Sequence, residues 1–305
     1  MAKKSIVIVL NGISLRKKYF YKTYVPALSK IANIEVKETL TKNDAVLLAS
    51  KATDHYADAV IAAGGDGTLN QVLNGVITGR ETATKLPVIG LIPLGSGNDF
   101  ARTAGVQDDV SQIAALVQNF KPNKIDLGQI DYTNVQTNKT EIRYFVNMAD
   151  IGMGPVVVEK VLKSGRSLGH AMAYYKSILS TFMTYKPIEV EAVTNGWTWK
   201  GKLRTLGVGN GKYYGSGLGI TPDAQLNDRL FQVFICGNVS VFDFMRYTGH
   251  LKRGRHIRIP EVHYKTTTHV SLKSEKLCLI EGDGEILGKL PATVRLHERQ
   301  FDFLI

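Results

Sequence analysis

Over its first 127 residues the chain alternates short apolar runs with longer segments that carry apolar residues at helical spacing. Runs at 5–10, 34–39, 59–63 and 86–92 read as strands, and helices are expected to end near Ile31, to cover 44–55 and to include Val110, Ile113, Ala114 and Val117. The clearest helix follows the third strand. There Leu69, Val72, Leu73, Val76 and Ile77 recur at the spacing of one buried face, and Thr68 and Gln71 fit an N-terminal capping box.

After residue 127 the pattern changes to strand-like segments at 130–132, 141–147, 187–194, 197–208 and 231–236, with Asn195-Gly196 a strong hairpin turn. One long helical stretch, 156–185, interrupts them. The chain therefore reads as an α/β domain with a mostly parallel sheet over 1–127 and a β-rich domain over 128–291. The chain end, about 292–305, could return to the first domain.

In helix-linked parallel sheets, ligands gather at the carboxyl ends of the strands. Asn11-Gly12, Thr39, the turn at Gly64 and the turn at Gly95 all fall there. Gly64, Gly65 and Gly67 leave backbone N–H groups uncovered at a helix N-terminus, an arrangement that receives phosphate oxygens. The spacing is neither GxxxxGK[ST] nor GxGxxG. Asp66 stands inside the turn and would repel a polyphosphate unless a metal ion or a reacting hydroxyl lay between them; without a ligand it would simply cap a helix. Two further polar stretches end or precede strands. Glu281-Gly282-Asp283-Gly284-Glu285 gathers three carboxylates after the apolar run 277–280, and 222–230 makes a polar turn before the strand at 231–236.

The net charge of +11 favours anionic partners such as nucleotides or acidic lipid head groups. No RNA-binding aromatic signature, zinc finger or helix-turn-helix spacing points to nucleic acid. Two cysteines are too few for a disulfide scaffold and fit a reducing compartment, and no apolar run reaches the ~20 residues that span a bilayer. The apolar run at 5–10 reads as a first strand rather than a leader, which places the protein in the cytoplasm.

Three motifs in order, Gly64-Gly65-Asp66-Gly67-Thr68, then Pro93-Leu94-Gly95-Ser96-Gly97-Asn98-Asp99-Phe100-Ala101, then Asp283-Gly284-Glu285, make the chain resemble the diacylglycerol kinase catalytic-domain family over essentially its whole length. The soluble bacterial lipid kinases are the branch it resembles most. The first motif also occurs in NAD kinases and relatives of phosphofructokinase, and the second favours the lipid branch. The resemblance implies an NAD kinase/phosphofructokinase-like first domain and a β-sandwich-like second one. It also implies ATP binding through Gly64, Gly65, Asp66, Gly67, Thr68, Leu69 and Asn70, with Asn11, Thr39, Ser96, Asn98 and Asp99 contributing. Serine at 96 keeps the hydroxyl of the usual threonine, whereas Asn11-Gly12-Ile13-Ser14 departs from the relatives' Asn-Pro-x-Ser/Ala-Gly loop.

By the same resemblance Asp228 would bind Mg2+ with the carbonyls of Gln225 and Leu230, and Asp126 would hold a magnesium-linked water. Relatives usually place glycine where Arg229 stands. Asp283 or Glu285 would take the proton of the acceptor hydroxyl, and Asp66 would help to hold metal. The implied activity is transfer of the γ-phosphate of ATP to a lipid hydroxyl, that of diacylglycerol or a related lipid alcohol, in phospholipid metabolism. The alternatives are NAD kinase-like phosphorylation of a soluble acceptor and a nucleotide-binding regulator without turnover; the latter would need no carboxylate motif. Peripheral contact with an anionic membrane surface is expected from Arg246, Lys252, Arg253, Arg255 and Arg258, with Met245, Leu251 and Ile257 offering apolar contacts. The oligomeric state stays open, a homodimer included.

Overall fold

Six successive buried residues, Ala59–Gly64, place one strand at the centre of a sheet covered on both faces. The computed structural model describes residues 3–41, 43–55, 57–79, 86–163 and 170–305. The chain divides into two units, Met1–Ile125 with Gln300–Ile305, and Asp126–Arg299. In the first unit β1 (Ser5–Leu10), β2 (Asn33–Glu38), β3 (Ala59–Gly64) and β4 (Val88–Pro93) run parallel. The terminal strand, Phe301–Leu304, lies parallel to β4 and antiparallel to β5 (Asn123–Ile125). The order is β2-β1-β3-β4, then the terminal strand, then β5. Helices α1 (Lys17–Leu28), α2 (Asp44–Asp54), α3 (Asp66–Gly79), α4 (Asp99–Ala104) and α5 (Val110–Asn119) complete this unit. The connections leaving β1 and β3 run in opposite directions, so the topological switch point lies at their carboxyl ends, where Gly12 and the Gly64 turn sit.

The second unit is a sheet whose strands pair antiparallel: β6 (Gly128–Thr133), β7 (Thr140–Phe145), β8 (Met148–Gly152), β9 (Ile188–Val193), β10 (Thr198–Leu203), β11 (Thr205–Gly209), β12 (Phe231–Cys236), β13 (Val262–Thr267), β14 (His269–Lys273), β15 (Leu279–Gly282) and β16 (Glu285–Leu296). One core, including Ile130, Phe145, Leu206, Phe231 and Val294, lies among the strands. A second, including Met153, Ile178, Phe234 and Leu251, lies where α6 (Met153–Lys163), α7 (His170–Thr184) and α8 (Val241–Lys252) cover the sheet. Phe182 of α7 stacks on Phe244 of α8 with ring centroids 4.8 Å apart.

The parallel first sheet and β-rich second part agree with the pattern of the sequence. Three local expectations need correction. The stretch 156–185 forms two helices, α6 and α7, and 164–169 lie outside the described residues. α3 begins at Asp66, two residues before Thr68, so Thr68 cannot be its N-cap and no capping box forms with Gln71. The segment 197–208 breaks at Arg204, where β10 leaves its partner β9 and β11 begins to pair with β8 and β12. Arg204 is 7% exposed; its guanidinium lies 4.8 Å from the Phe182 ring centroid and donates to the Phe182 carbonyl at 3.2 Å.

Candidate functional site

The two glycine turns of the first unit are tied together by Asp66. Its Oδ2 accepts the Asp99 N–H at 3.1 Å and its Oδ1 that of Phe100 at 3.0 Å, so the carboxylate satisfies the leading amides of α4. Gly65 and Gly95 pass so closely that a Cβ on Gly95 would stand 2.4 Å from the Gly65 Cα, and a Cβ on Gly64 would stand 2.3 Å from the Thr68 hydroxyl oxygen. A Cβ on Gly67, by contrast, would meet nothing within 4 Å. Gly67 therefore faces open space at the positive end of α3, where phosphate oxygens can approach.

Asn11 and Thr39 sit at neighbouring strand ends: the Asn11 N–H donates to the Ala63 carbonyl, and the Gly12 N–H donates to Thr39 Oγ1 at 3.0 Å. Ser96 is exposed, and Asn98, at φ +52°, donates from Nδ2 to the Gly95 carbonyl at 2.8 Å. Leu69, Asn70 and Asp99 are buried, and the Leu69 and Asp99 N–H groups are already used by the Gly65 carbonyl and the Asp66 carboxylate, so these residues shape the turn rather than face a ligand.

In the second unit the hairpin from β15 to β16 turns through Asp283 and Gly284, at φ +49° and +83°, as a two-residue type I′ turn requires. Each carboxylate around it has a different employment. Asp283 Oδ2 accepts the Val146 N–H at 2.9 Å, and Oδ1 accepts those of Asn147 and Met148 at 3.0 and 2.9 Å. Glu281, fully buried, accepts the Gly284 N–H at 2.6 Å. Glu285 pairs with Arg143 at 2.5 Å and keeps 22% of its side chain exposed, against a fully buried Glu281 and a 6% exposed Asp283.

The turn 225–230 is fastened to Asp126, which is fully buried: the Asp126 N–H donates to the Leu226 carbonyl at 2.7 Å, and its carboxylate is held by Arg229. Gln225, Asp228 and Leu230 are exposed, with Asp228 Oδ1 accepting the Leu230 N–H at 3.1 Å.

A feature that sequence reading missed is an apolar cavity behind α6, α7 and α8. Met153, Val157, Ile178, Phe182, Phe244 and Leu251 are among its lining residues, and about 710 Å³ of space free of protein atoms lies in it and its mouth. Asp150 is one of few polar groups there, accepting from the Thr205 hydroxyl at 2.6 Å and the Ile151 N–H at 2.7 Å. A carboxylate within the apolar run from Phe145 to Ile151 was its one local signal. Burial pushes Asp150 up to about 7, against the weaker lowering effect of its hydrogen bonds, and burial likewise raises Glu281. Unfolded, Asp150 would titrate near ~3.9. The folded state thus binds the proton more tightly, and stability should fall as pH rises from about 4 to about 7. At ~1.4 kcal/mol per pH unit the loss amounts to up to about 4 kcal/mol. Urea unfolding at pH 5 and pH 8 should show about 3 kcal/mol of this loss in the parent and less in Asp150→Asn; equal slopes in both would remove Asp150 as its source.

The basic segment 246–258 also differs in part from expectation. Arg246, Lys252, Arg253, Arg255 and Arg258 are exposed, but Leu251 and Ile257 point inward and line the cavity, while His256 pairs with Asp223 at 2.8 Å. Phe242, 75% exposed, and Met245, 43% exposed, are the apolar side chains that α8 offers outward instead. Among the described residues no helix is long and apolar enough to cross a membrane.

Residues 5–130 match the family model described as diacylglycerol kinase catalytic domain, and residues 149–304 that of the YegS C-terminal NAD kinase beta sandwich-like domain. The chain is 30% identical over 254 residues to the diacylglycerol kinase of Bacillus subtilis (strain 168), across 83% of this chain and 79% of that one. It is 28% identical over 304 residues to the diacylglycerol kinase of Staphylococcus aureus (strain JH9), across 98% and 92%. The crystal structure of a diacylglycerol kinase from Bacillus anthracis str. Sterne has the same fold, with a TM-score of 0.75 at 18% identity over 99% of this chain and 96% of that one. With one model matching each part and the Bacillus subtilis enzyme aligned over most of both chains, the chain belongs to the diacylglycerol kinase family.

Proposed function

We propose that the protein transfers the γ-phosphate of ATP to the hydroxyl of a lipid alcohol, diacylglycerol or a close relative. The observation that carries the lipid acceptor is the cavity behind α6, α7 and α8, whose lining is almost wholly apolar and suits an acyl chain. A dinucleotide acceptor would call for many more polar partners. The Gly64–Thr68 turn, open at Gly67, suits the phosphates of ATP, with Asn11, Thr39, Ser96 and Asn98 near the same sheet edge. Magnesium enters this reading as part of the ATP substrate complex. Phosphoryl transfer asks the protein mainly for positioning and charge stabilisation. The acceptor O–H gives its proton to the Glu285 carboxylate, its oxygen bonds to the γ-phosphorus, and the bond to the bridging oxygen breaks to leave ADP. Asp283, with three backbone amides on its carboxylate, positions that hairpin. Incubation with labelled ATP and either diacylglycerol in mixed micelles or NAD tests the reading. Label is expected in the lipid product; label only in a water-soluble product would overturn it.

A lipid substrate also calls for contact with its bilayer, and the outward face of α8 with the segment after it is our choice. Each basic residue close to an anionic surface contributes ~1 kcal/mol, an attraction that salt screens. Sedimentation with vesicles should rise with phosphatidylglycerol content and fall with salt. It should drop roughly 100-fold at low salt when Lys252, Arg253 and Arg255 are changed together to Gln. Equal binding of parent and triple variant at low salt would place the contact elsewhere.

A further inference from the structure

We propose that Arg229 is a built-in cation that takes the place of a resident divalent ion at the 225–230 turn. The oxygen groups at this turn, the Asp126 and Asp228 carboxylates with backbone carbonyls, are of the kind that binds magnesium. Of this set the Asp126 carboxylate serves an arginine instead, while Asp228 accepts the Leu230 N–H. The Arg229 N–H donates to Asp126 Oδ2 at 2.7 Å, and one guanidinium nitrogen donates to Asp126 Oδ1 at 3.0 Å. The other guanidinium nitrogen donates to the His297 carbonyl at 3.0 Å and to that of Glu298 at 3.4 Å. One planar fork thus joins the first residue of this unit, the turn and the segment near the unit's end.

Two features make this a substitution rather than an incidental contact. Arg229 holds φ at +62°, a left-handed backbone that glycine adopts freely and arginine adopts under strain, so its contacts must hold it there. Asp126 is fully buried, and a buried carboxylate that loses a cation is costly, so removing Arg229 would leave a charge that a divalent ion could offset. A divalent ion on the same carboxylate would meet the guanidinium as a like charge a few ångströms away.

The test uses no ATP or lipid, so it stands or falls apart from the kinase reading. Mn2+ binding is followed by electron paramagnetic resonance, and thermal unfolding is compared in EDTA and in Mg2+. The parent should show no saturable Mn2+ site below about 1 mM and the same Tm in both media. Arg229→Gly should gain one Mn2+ site and unfold at least about 3 °C higher in Mg2+ than in EDTA, and adding Asp228→Asn should abolish both gains. Arg229→Gln serves the same comparison if the glycine variant fails to fold. A saturable Mn2+ site in the parent that Asp228→Asn removes would overturn the inference. So would a folded Arg229 variant indifferent to both ions, since the arginine would then be a structural tie alone.

Discussion

Replacing Glu285 with glutamine should lower turnover by roughly 10²- to 10⁴-fold, the usual contribution of a general base, while ATP affinity and Tm stay close to those of the parent. Glutamine keeps the length of the side chain and an oxygen for Arg143, but cannot accept the hydroxyl proton. Asp283→Asn should behave differently. Its Oδ1 can still accept from Asn147 and Met148, but the amide that replaces Oδ2 turns a donor toward the Val146 N–H. An unpaired buried donor costs ~1–3 kcal/mol, so this variant should lose stability as well as activity. Single-turnover rates, with Tm measured on the same samples, separate the two. Normal chemistry in Glu285→Gln together with a purely catalytic defect in Asp283→Asn would exchange the roles assigned to them.

Gly67→Val should lower ATP affinity by about 100-fold or more, a loss of ~2.7 kcal/mol, without unfolding the protein. The new side chain would enter open space in front of α3, and Gly67 holds an ordinary backbone angle that valine can adopt. Gly95→Val is the contrasting case. Its side chain would collide with the Gly65 backbone and force the two turns apart, at a cost of ~1–3 kcal/mol of stability. Calorimetric titration with ATP checks the first variant and thermal unfolding the second; parent-like ATP affinity in folded Gly67→Val would mean that the phosphates bind elsewhere.

What the sequence determined by itself was local. Blocks such as 59–77 read as strand, turn and helix because side-chain periodicity and glycine chemistry act over a few residues. The same short range explains why Asn195-Gly196 marks the turn between β9 and β10. Family motifs added the order of the parts, since each is a short run of residue types.

What each charged group does was decided by the tertiary structure. Asp66 finds its amides 33 and 34 residues away, Asp283 finds its own at separations of 135 to 137, and Asp126 meets Arg229 across 103. Leu251 and Ile257, which look like surface contacts between arginines, turn inward because the helices over the sheet enclose a cavity drawn from residues between 150 and 262. A residue type sets which hydrogen bonds and charges a group can offer; the neighbours that satisfy or desolvate it arrive through space from distant segments, and no local pattern of positions records them.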